Sequence, residues 1–159
     1  RGFIEDIWVA GVLHDIGKIG ISDSILNKAG TLSKEEYDII KQHPEIAYKI
    51  VSNIGLKENI LKAIKHHHER YDGKGYPDMI KGDEIPLMAS IISVADAFDA
   101  ITSNRPYRKS RSMKQGIDEI ALNKDTQFNA TVVKTLEKVF LTKKEILERI
   151  HKDEEINFF

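Results

Sequence analysis

The sequence contains no cysteine, and this absence excludes several kinds of site at once. Disulfide bonds, thiolate zinc sites, iron–sulfur clusters and cysteine nucleophiles all require the missing side chain. Neither sign of charge dominates, because 24 lysines and arginines oppose 25 aspartates and glutamates, for a formal net charge of -1. No global field therefore attracts a nucleic acid polymer, and an anionic ligand has to be held by a local cluster of residues.

Long apolar runs are also missing. No segment approaches the roughly 18–20 apolar residues of a membrane span, and the first residues do not have the pattern of a signal peptide. The composition, 41% hydrophobic and 31% charged over 159 residues, is typical of a soluble globular domain with one core. We therefore predict a cytoplasmic protein.

The sequence has helical periodicity almost throughout, and no segment sustains the alternation of a strand. The fold class predicted is therefore all-α. The pattern indicates a first helix that ends near Gly17, a loop over residues 20–32, and a helix break at His43 before Pro44. The apolar stripe of the first helix consists of Phe3, Ile4, Ile7, Trp8, Val12 and Leu13. Later helix starts are predicted at Ser33, Pro44, residue 57, Pro86, Ser112, Asn129 and Thr142.

Three consecutive histidines end the helix predicted over about residues 57–69. His67 lies three residues after Ile64 and His68 lies four after it, so both continue the buried stripe. His66 follows Lys62 by four residues and falls on the polar face. A single inward histidine is more often a core residue with protein partners. Two adjacent inward imidazoles are harder to satisfy that way, and a metal ion fits both.

Two carboxylates, Asp96 and Asp99, lie three residues apart in the apolar segment "SIISVADAFDAI". A buried carboxylate requires a cation or several hydrogen-bond donors. Arg105 could serve Asp99, which is the simpler interpretation. Asp96 lies deeper in the apolar run, and a metal ion is the better candidate for its partner.

The remaining histidines are evidence for a metal site only when they are considered together. His14 and Asp15 end an apolar helix in "LHDIGK", with Lys18 one turn later, and His43 precedes a proline. Each of these features arises often by chance. Five of the six histidines, however, fall between residues 14 and 68, and this clustering favours a metal site.

With these motifs in view, the sequence resembles the HD-GYP family, a branch of the HD-domain metal-dependent phosphohydrolases. The matching text is "LHDIGKIGISDSILNKAGTLSKEEYDIIKQHPEIA", "AIKHHHERYDGKGYPDMIKGDEIP" and "SIISVADAFDAITSNRPYRKS", which covers most of residues 10–110. The resemblance implies an all-α bundle of about seven helices that hydrolyses cyclic di-GMP. It also implies two or three divalent metal ions, usually iron or manganese.

The resemblance assigns roles to individual residues. The metal ligands it implies are His14, Asp15, His43, His67, His68 and Asp96. Asp15, Lys18 and Asp99 are the implied catalytic residues. The implied substrate contacts are Lys18, Gly75, Tyr76, Pro77, Arg105 and Arg108.

The family's pattern also sets expectations about the chain's extent and partners. Family members have a further histidine ligand on an upstream helix, so we expect residues 1–150 to be an HD-GYP domain without that helix, followed by a tail at 151–159. The family's "GTQFDP" is "DTQFNA" here, which puts that turn in doubt. The partners left open are an upstream sensor, receiver or diguanylate cyclase domain, and a second copy in a homodimer.

Two alternatives to cyclic di-GMP hydrolysis stay open at this point. One is hydrolysis of another cyclic dinucleotide or of a nucleotide. The other is a non-catalytic domain that binds cyclic di-GMP or a partner protein.

Overall fold

The computed structural model describes residues 2–103 and 110–156, with the side chains of the second range described as far as residue 149. Over these ranges the chain forms eight α-helices and two short 3-10 helices, and it has no named strand. The α-helices are α1 (Gly2–Leu13), α2 (Asp23–Leu26), α3 (Lys34–Ile40), α4 (His43–Val51), α5 (Glu58–His66), α6 (Leu87–Thr102), α7 (Met113–Leu122) and α8 (Ala130–Ile156). The 3-10 helices are Ile16–Gly20 and Gly82–Glu84. The predicted all-α fold is confirmed, and the one-turn α2 lies within the predicted loop.

Several predicted helix boundaries are confirmed with their physical causes. The Ser33 side chain accepts a hydrogen bond from the backbone N–H of Glu36, and the Glu36 carboxylate accepts one from the backbone N–H of Ser33. Ser112 and Gln115 make the same reciprocal pair at the start of α7. These bonds satisfy amides that a helix start otherwise leaves unpaired.

The helices enclose two clusters of buried apolar residues, and α6 contributes to both. The first cluster joins α1, α4, α5 and α6, and includes Ala10, Ala47, Val51, Ile64 and Ile92. The second joins α6 to α7 and α8, and includes Val94, Ile101, Ile120, Phe128 and Val133. α6 therefore packs against α1 and α5 in the first cluster and against α7 and α8 in the second.

The face that α1 buries differs from the predicted one. Phe3, Ile4, Trp8 and Val12 are 47%, 73%, 69% and 62% exposed, so this part of the apolar stripe lies on the surface. The helix instead packs through Ala10, which is fully buried and allows close approach, together with the partly buried Ile7, Val9 and Leu13. Helical spacing alone could not choose between these two apolar faces, because both satisfy it.

The long α8 consists of two helical segments. Lys143 has φ -138° and ψ 29°, which are not helical values, so the two segments meet at a kink and the second one starts next to Thr142, as predicted. No helix in the described part of the chain has the length and apolarity that a membrane span requires.

Candidate metal centre

Four predicted ligands converge at the junction of α4, α5 and the first 3-10 helix. Asp15, His43, His67 and His68 each offer one donor atom, and these atoms all lie within 4.8 Å of one another. Asp15 precedes the 3-10 helix, His43 is the first residue of α4, and His67 and His68 follow the last turn of α5. Helix termini therefore supply the whole group.

Gly17 makes this convergence possible. A Cβ atom at Gly17 would lie 1.9 Å from the carbonyl oxygen of His43 and 2.5 Å from the backbone nitrogen of Ala47. Both neighbours are backbone atoms of α4 and cannot rotate away. Only glycine therefore allows the turn that carries Asp15 to pack against the start of α4.

Three histidines of the centre are oriented in the same way. His14, His43 and His67 each direct Nδ1 at the backbone carbonyl three residues earlier, at 2.6, 2.7 and 2.7 Å. A carbonyl oxygen can only accept, so Nδ1 carries the proton in each ring. In a neutral ring this leaves a lone pair on Nε2, the atom a metal ion would take, and the hydrogen bond fixes the ring's direction.

The Nε2 atom of His43 lies between two other acceptors. It is 3.3 Å from Nε2 of His67 and 3.3 Å from Oδ1 of Asp15. Burial lowers the pKa of His67 to about 3, so that ring is neutral and presents a lone pair. Asp15 Oδ1 is itself buried and accepts no hydrogen bond within the described residues.

This arrangement fits a metal ion. A proton on His43 could serve only one of its two neighbouring acceptors, whereas a cation would be bound by all of them. Buried lone pairs that face one another without hydrogens are otherwise unfavourable. The structure thus gives the donor set a physical reason to hold a metal.

Lys18 lies beside this donor set. Its Nζ donates to Oδ2 of Asp15 at 2.5 Å, and His14 Nε2 lies 3.5 Å from the same oxygen. Burial alone would raise the pKa of the Asp15 carboxyl. The hydrogen bond and the positive charge of the Lys18 ammonium group oppose this effect and hold the pKa below its usual range, so Asp15 is ionised.

His68 connects the donor group to a neighbouring cavity. Its ring stacks on Tyr76, with centroids 4.9 Å apart and planes at 30°, and burial lowers its pKa to about 2. His68, Ser93 and Asp96 contribute to the lining of a cavity of about 400 Å³. Asp96 therefore lines the cavity that adjoins His68, but it is not among the four donors that lie within 4.8 Å of one another.

Asp99 does not share this position. Its side chain is exposed, and Oδ1 accepts a hydrogen bond from the Ser103 hydroxyl at 2.6 Å. The prediction that both carboxylates lie in a buried environment is wrong for Asp99, whereas Asp96 is half-buried. Residues three apart lie on the same side of a helix, but Asp99 lies one turn nearer to the end of α6 at Thr102, where it is exposed. Two further predicted residues, Arg105 and Arg108, lie outside the described residues.

His66 also differs from its prediction. We expected a solvent-facing side chain, but it is only 12% exposed and lies 3.8 Å from Glu69 and 3.9 Å from Asp78. The loop that carries Asp78 folds back over the polar face of α5. Helical phase could not show this covering, because it depends on the path of a loop.

Sequence reasoning missed the role of Glu69, the residue directly after the three histidines. Its side chain is fully buried, and it accepts a hydrogen bond from the backbone N–H of Asp78 at 2.7 Å. Burial raises the pKa of Glu69, while backbone amides at residues 78–80 oppose that rise. A glutamate between paired inward histidines and a glycine-rich loop was the available signal.

The loop is pressed closely against the end of α5. A Cβ atom at Gly75 would lie 2.3 Å from the backbone nitrogen of Arg70 and 2.6 Å from the carbonyl oxygen of His68. Gly73 adopts a left-handed φ of +76°. These glycines allow Tyr76 to stack on His68, so the loop lies at the edge of the donor group.

Comparison with known proteins agrees with this geometry. A family model described as "HD domain" matches residues 3–132. The chain belongs to the HD-domain family. It is 41% identical over 157 residues to a cyclic di-GMP phosphodiesterase of Thermotoga maritima, which covers 96% of this chain and 42% of that protein.

The names of two further relatives state two different substrates. The cyclic di-GMP phosphodiesterase response regulator RpfG of Xanthomonas campestris pv. campestris is 42% identical, over 84% of this chain and 36% of that protein. The 3′3′-cGAMP-specific phosphodiesterase 3 of Vibrio cholerae is 36% identical, over 84% of this chain and 30% of that protein. These relatives confirm the resemblance to the HD-GYP branch. The chain spans less than half the length of each of the three.

Solved structures confirm the HD-domain fold. A cyclic GMP-AMP-specific phosphodiesterase of V. cholerae superposes with a TM-score of 0.65 at 18% identity, covering 87% of this chain and 38% of that one. A protein of Bdellovibrio bacteriovorus described as an HDG"Y"P protein gives a TM-score of 0.66 at 18% identity, covering 85% of this chain and 43% of that one.

Proposed function

We propose that this protein is a metal-dependent phosphodiesterase that hydrolyses cyclic di-GMP to linear pGpG, GMP or both. The observation that carries the proposal is the opposition of His43 Nε2, His67 Nε2 and Asp15 Oδ1, buried acceptors that no proton can satisfy together. The names of two relatives, 41% and 42% identical, support cyclic di-GMP as the substrate.

The metal ligands we propose include the four converging donors and two further residues. They are His14, Asp15, His43, His67, His68 and Asp96. Nitrogen and oxygen donors without sulfur suit iron or manganese, in keeping with two or three divalent ions. Such ions, when bound, lower the pKa of water and offset the charge of a phosphodiester.

The chain's own residues supply the remaining contacts. Lys18 is 43% exposed while it pairs with Asp15, so its ammonium group can reach a phosphate oxygen without leaving the centre. There it would stabilise negative charge that grows on the phosphoryl group. One wall of the substrate site would be formed by Gly75, Tyr76 and Pro77. Two arginines, Arg105 and Arg108, would each donate paired hydrogen bonds to a phosphate or to a base edge.

Asp99 retains a proposed role as the acid for the leaving oxygen. Its exposure, together with the hydrogen bond from Ser103, leaves one carboxyl oxygen facing solvent, from which the protonated form of Asp99 would give its proton to the leaving 3′ oxygen. A water molecule of the centre is the alternative proton source.

A second candidate substrate is 3′3′-cGAMP. A relative specific for it is 36% identical over 84% of this chain, so the shared fold and motifs fit either dinucleotide. A non-catalytic cyclic di-GMP-binding domain is the remaining alternative, to be distinguished by tight binding without turnover.

The test measures turnover of cyclic di-GMP, 3′3′-cGAMP and cyclic di-AMP by the protein loaded with Mn(II) or Fe(II). We expect the highest kcat/KM for cyclic di-GMP, and loss of both bound metal and turnover in His67→Ala. Unchanged turnover by metal-free His67→Ala protein would contradict the mechanism. Highest turnover with another substrate would contradict the substrate assignment alone.

A further inference from the structure

The cavity beside His68 and Asp96 has a second wall that the proposed chemistry does not use. Glu119, Asn123 and Gln127, from α7 and the turn that follows it, line this wall. A volume of about 400 Å³ lies within the range of small-molecule sites. Because the cavity adjoins the metal centre, a group bound in it would belong to the molecule whose phosphate is being hydrolysed.

The polar groups of this wall are held in place by neighbours. The Asn123 amide donates to the carbonyl oxygen of Glu119 at 3.0 Å, and Oε1 of Gln127 accepts from Arg70 at 3.1 Å. Glu119 forms an ion pair with Arg111. Each contact uses one end of the side chain, which leaves the amide oxygen of Asn123, the amide nitrogen of Gln127 and the second carboxylate oxygen of Glu119 for a ligand.

The other walls are apolar. Ala97, Ala100 and Ile101 contribute from α6, and Ile120 and Phe128 contribute from α7 and the turn before α8. Ile120 and Phe128 are 0% and 4% exposed, so this part of the lining is fixed by the second core cluster. Apolar walls with a few placed polar groups suit a flat heteroaromatic ring that presents hydrogen-bonding atoms at its edge.

We infer that this cavity binds a purine base of the substrate and that Glu119 selects guanine over adenine. The inference rests on the proposed function, because a cyclic dinucleotide supplies the base. Guanine presents two adjacent donors, N1–H and the N2 amino group, and the carboxylate oxygen of Glu119 that does not contact Arg111 would accept a hydrogen bond from this edge. Adenine presents a lone pair at N1, which a carboxylate repels.

The decisive variant is Glu119→Gln. Glutamine offers one acceptor and one donor, the pattern that matches the adenine edge. We expect the ratio of kcat/KM for cyclic di-GMP to that for cyclic di-AMP, which has no guanine, to fall by about 10–100-fold, since a bound base would cover the Glu119 side chain and a mismatched polar pair then penalises the wrong ligand. The ratio of the inhibition constant of GMP to that of AMP should rise, and this second readout does not depend on turnover of either dinucleotide.

Two control variants separate base recognition from structural effects. Glu58→Gln breaks a similar surface ion pair, with Lys62, far along the chain from the cavity and should leave both ratios unchanged. Arg111→Met breaks the pair with Glu119 but keeps the carboxylate, so guanine preference should persist. Equal losses of preference in Arg111→Met and Glu119→Gln would overturn the inference in favour of a structural ion pair.

The remaining outcomes are also distinct. If the wild-type protein hydrolyses cyclic dinucleotides and Glu119→Gln leaves both ratios unchanged, base selection by Glu119 is wrong while the proposed function stands. If the metal-loaded wild-type protein hydrolyses no cyclic dinucleotide, the proposed function fails and the inference fails with it.

Discussion

His43 Nε2 and His67 Nε2 lie 3.3 Å apart, and the Nδ1 atom of each ring is directed at a backbone carbonyl. Neither ring can turn its Nε2 away without losing that carbonyl bond. The backbone therefore holds two acceptors together whether or not a cation is present. A protein that maintains this arrangement is preorganised for a metal and is less stable without one.

The first prediction concerns metal binding by the histidine triplet. His67→Ala should lose most of the bound Mn(II) or Fe(II), and added metal should no longer raise Tm, because the buried donor of the centre is gone. His66→Ala is the matched control, since His66 contacts Glu69 and Asp78 rather than the donor group. Elemental analysis and thermal melts with and without chelator provide the measurement. Equal metal loss in both variants would contradict the separation of His66 from His67.

The second prediction concerns Gly17. Gly17→Ala should reduce both metal affinity and stability, because its Cβ atom would lie 1.9 Å from the carbonyl oxygen of His43 and force α4 away from Asp15. We expect a loss of about 2–4 kcal/mol in the free energy of unfolding, as for other overpacked sites. Gly11→Ala is the control, because nothing lies within 4 Å of the Cβ position in α1. It should be neutral or stabilising by about 1 kcal/mol. Similar denaturation midpoints for the two variants would refute this account.

Residues whose environment is set by their own helix were predictable from the sequence. The phase of His67 and His68 relative to Ile64 placed both at the centre, and Ser33 and Ser112 marked two helix starts. Such features depend on spacing within one segment, which the sequence states directly.

Residues whose environment is set by distant segments were not predictable in this way. The exposed side of α1 at Trp8, the covering of His66 by the loop at Asp78, and the contact of Gly17 with α4 all depend on tertiary packing. Asp99 shows the same limit, because a residue one turn from the half-buried Asp96 is exposed to solvent. The family resemblance supplied the expected ligand set but could not supply these contacts.

The third prediction concerns Glu69 and the loop it holds. Glu69→Ala should lower the free energy of unfolding by about 1–3 kcal/mol, because it removes a fully buried side chain and leaves the backbone N–H of Asp78 without its acceptor. Glu69→Gln keeps one acceptor oxygen and should lose less. The measurement is chemical denaturation, combined with hydrogen exchange of the amides at residues 76–80. Faster exchange confined to this loop in Glu69→Ala is expected, whereas unchanged exchange would remove the role we assign to Glu69.

The last prediction concerns the acid stability of the pairing between α1 and α5. Hydrogen bonds from Lys57, at 2.7 Å, and from Asn59, at 3.1 Å, hold the pKa of Asp6 below its ordinary value of 3.8. A carboxyl whose native pKa is depressed stabilises the fold above its unfolded pKa, and that stabilisation is lost as pH falls through the native pKa. Asp6→Asn should therefore lower Tm by a few degrees near pH 7, and the difference from wild type should shrink and vanish below pH 3.8.

Asp118→Asn is the matched control for this pH series. Asp118 also pairs with a lysine, Lys114 at 2.9 Å, but both side chains are more than half exposed, so solvent screens the interaction. We expect its Tm to follow the wild type across the whole range. A Tm difference for Asp6→Asn that stayed constant from pH 7 to pH 3 would mean that packing of the side chain, rather than its charge, joins α1 to α5.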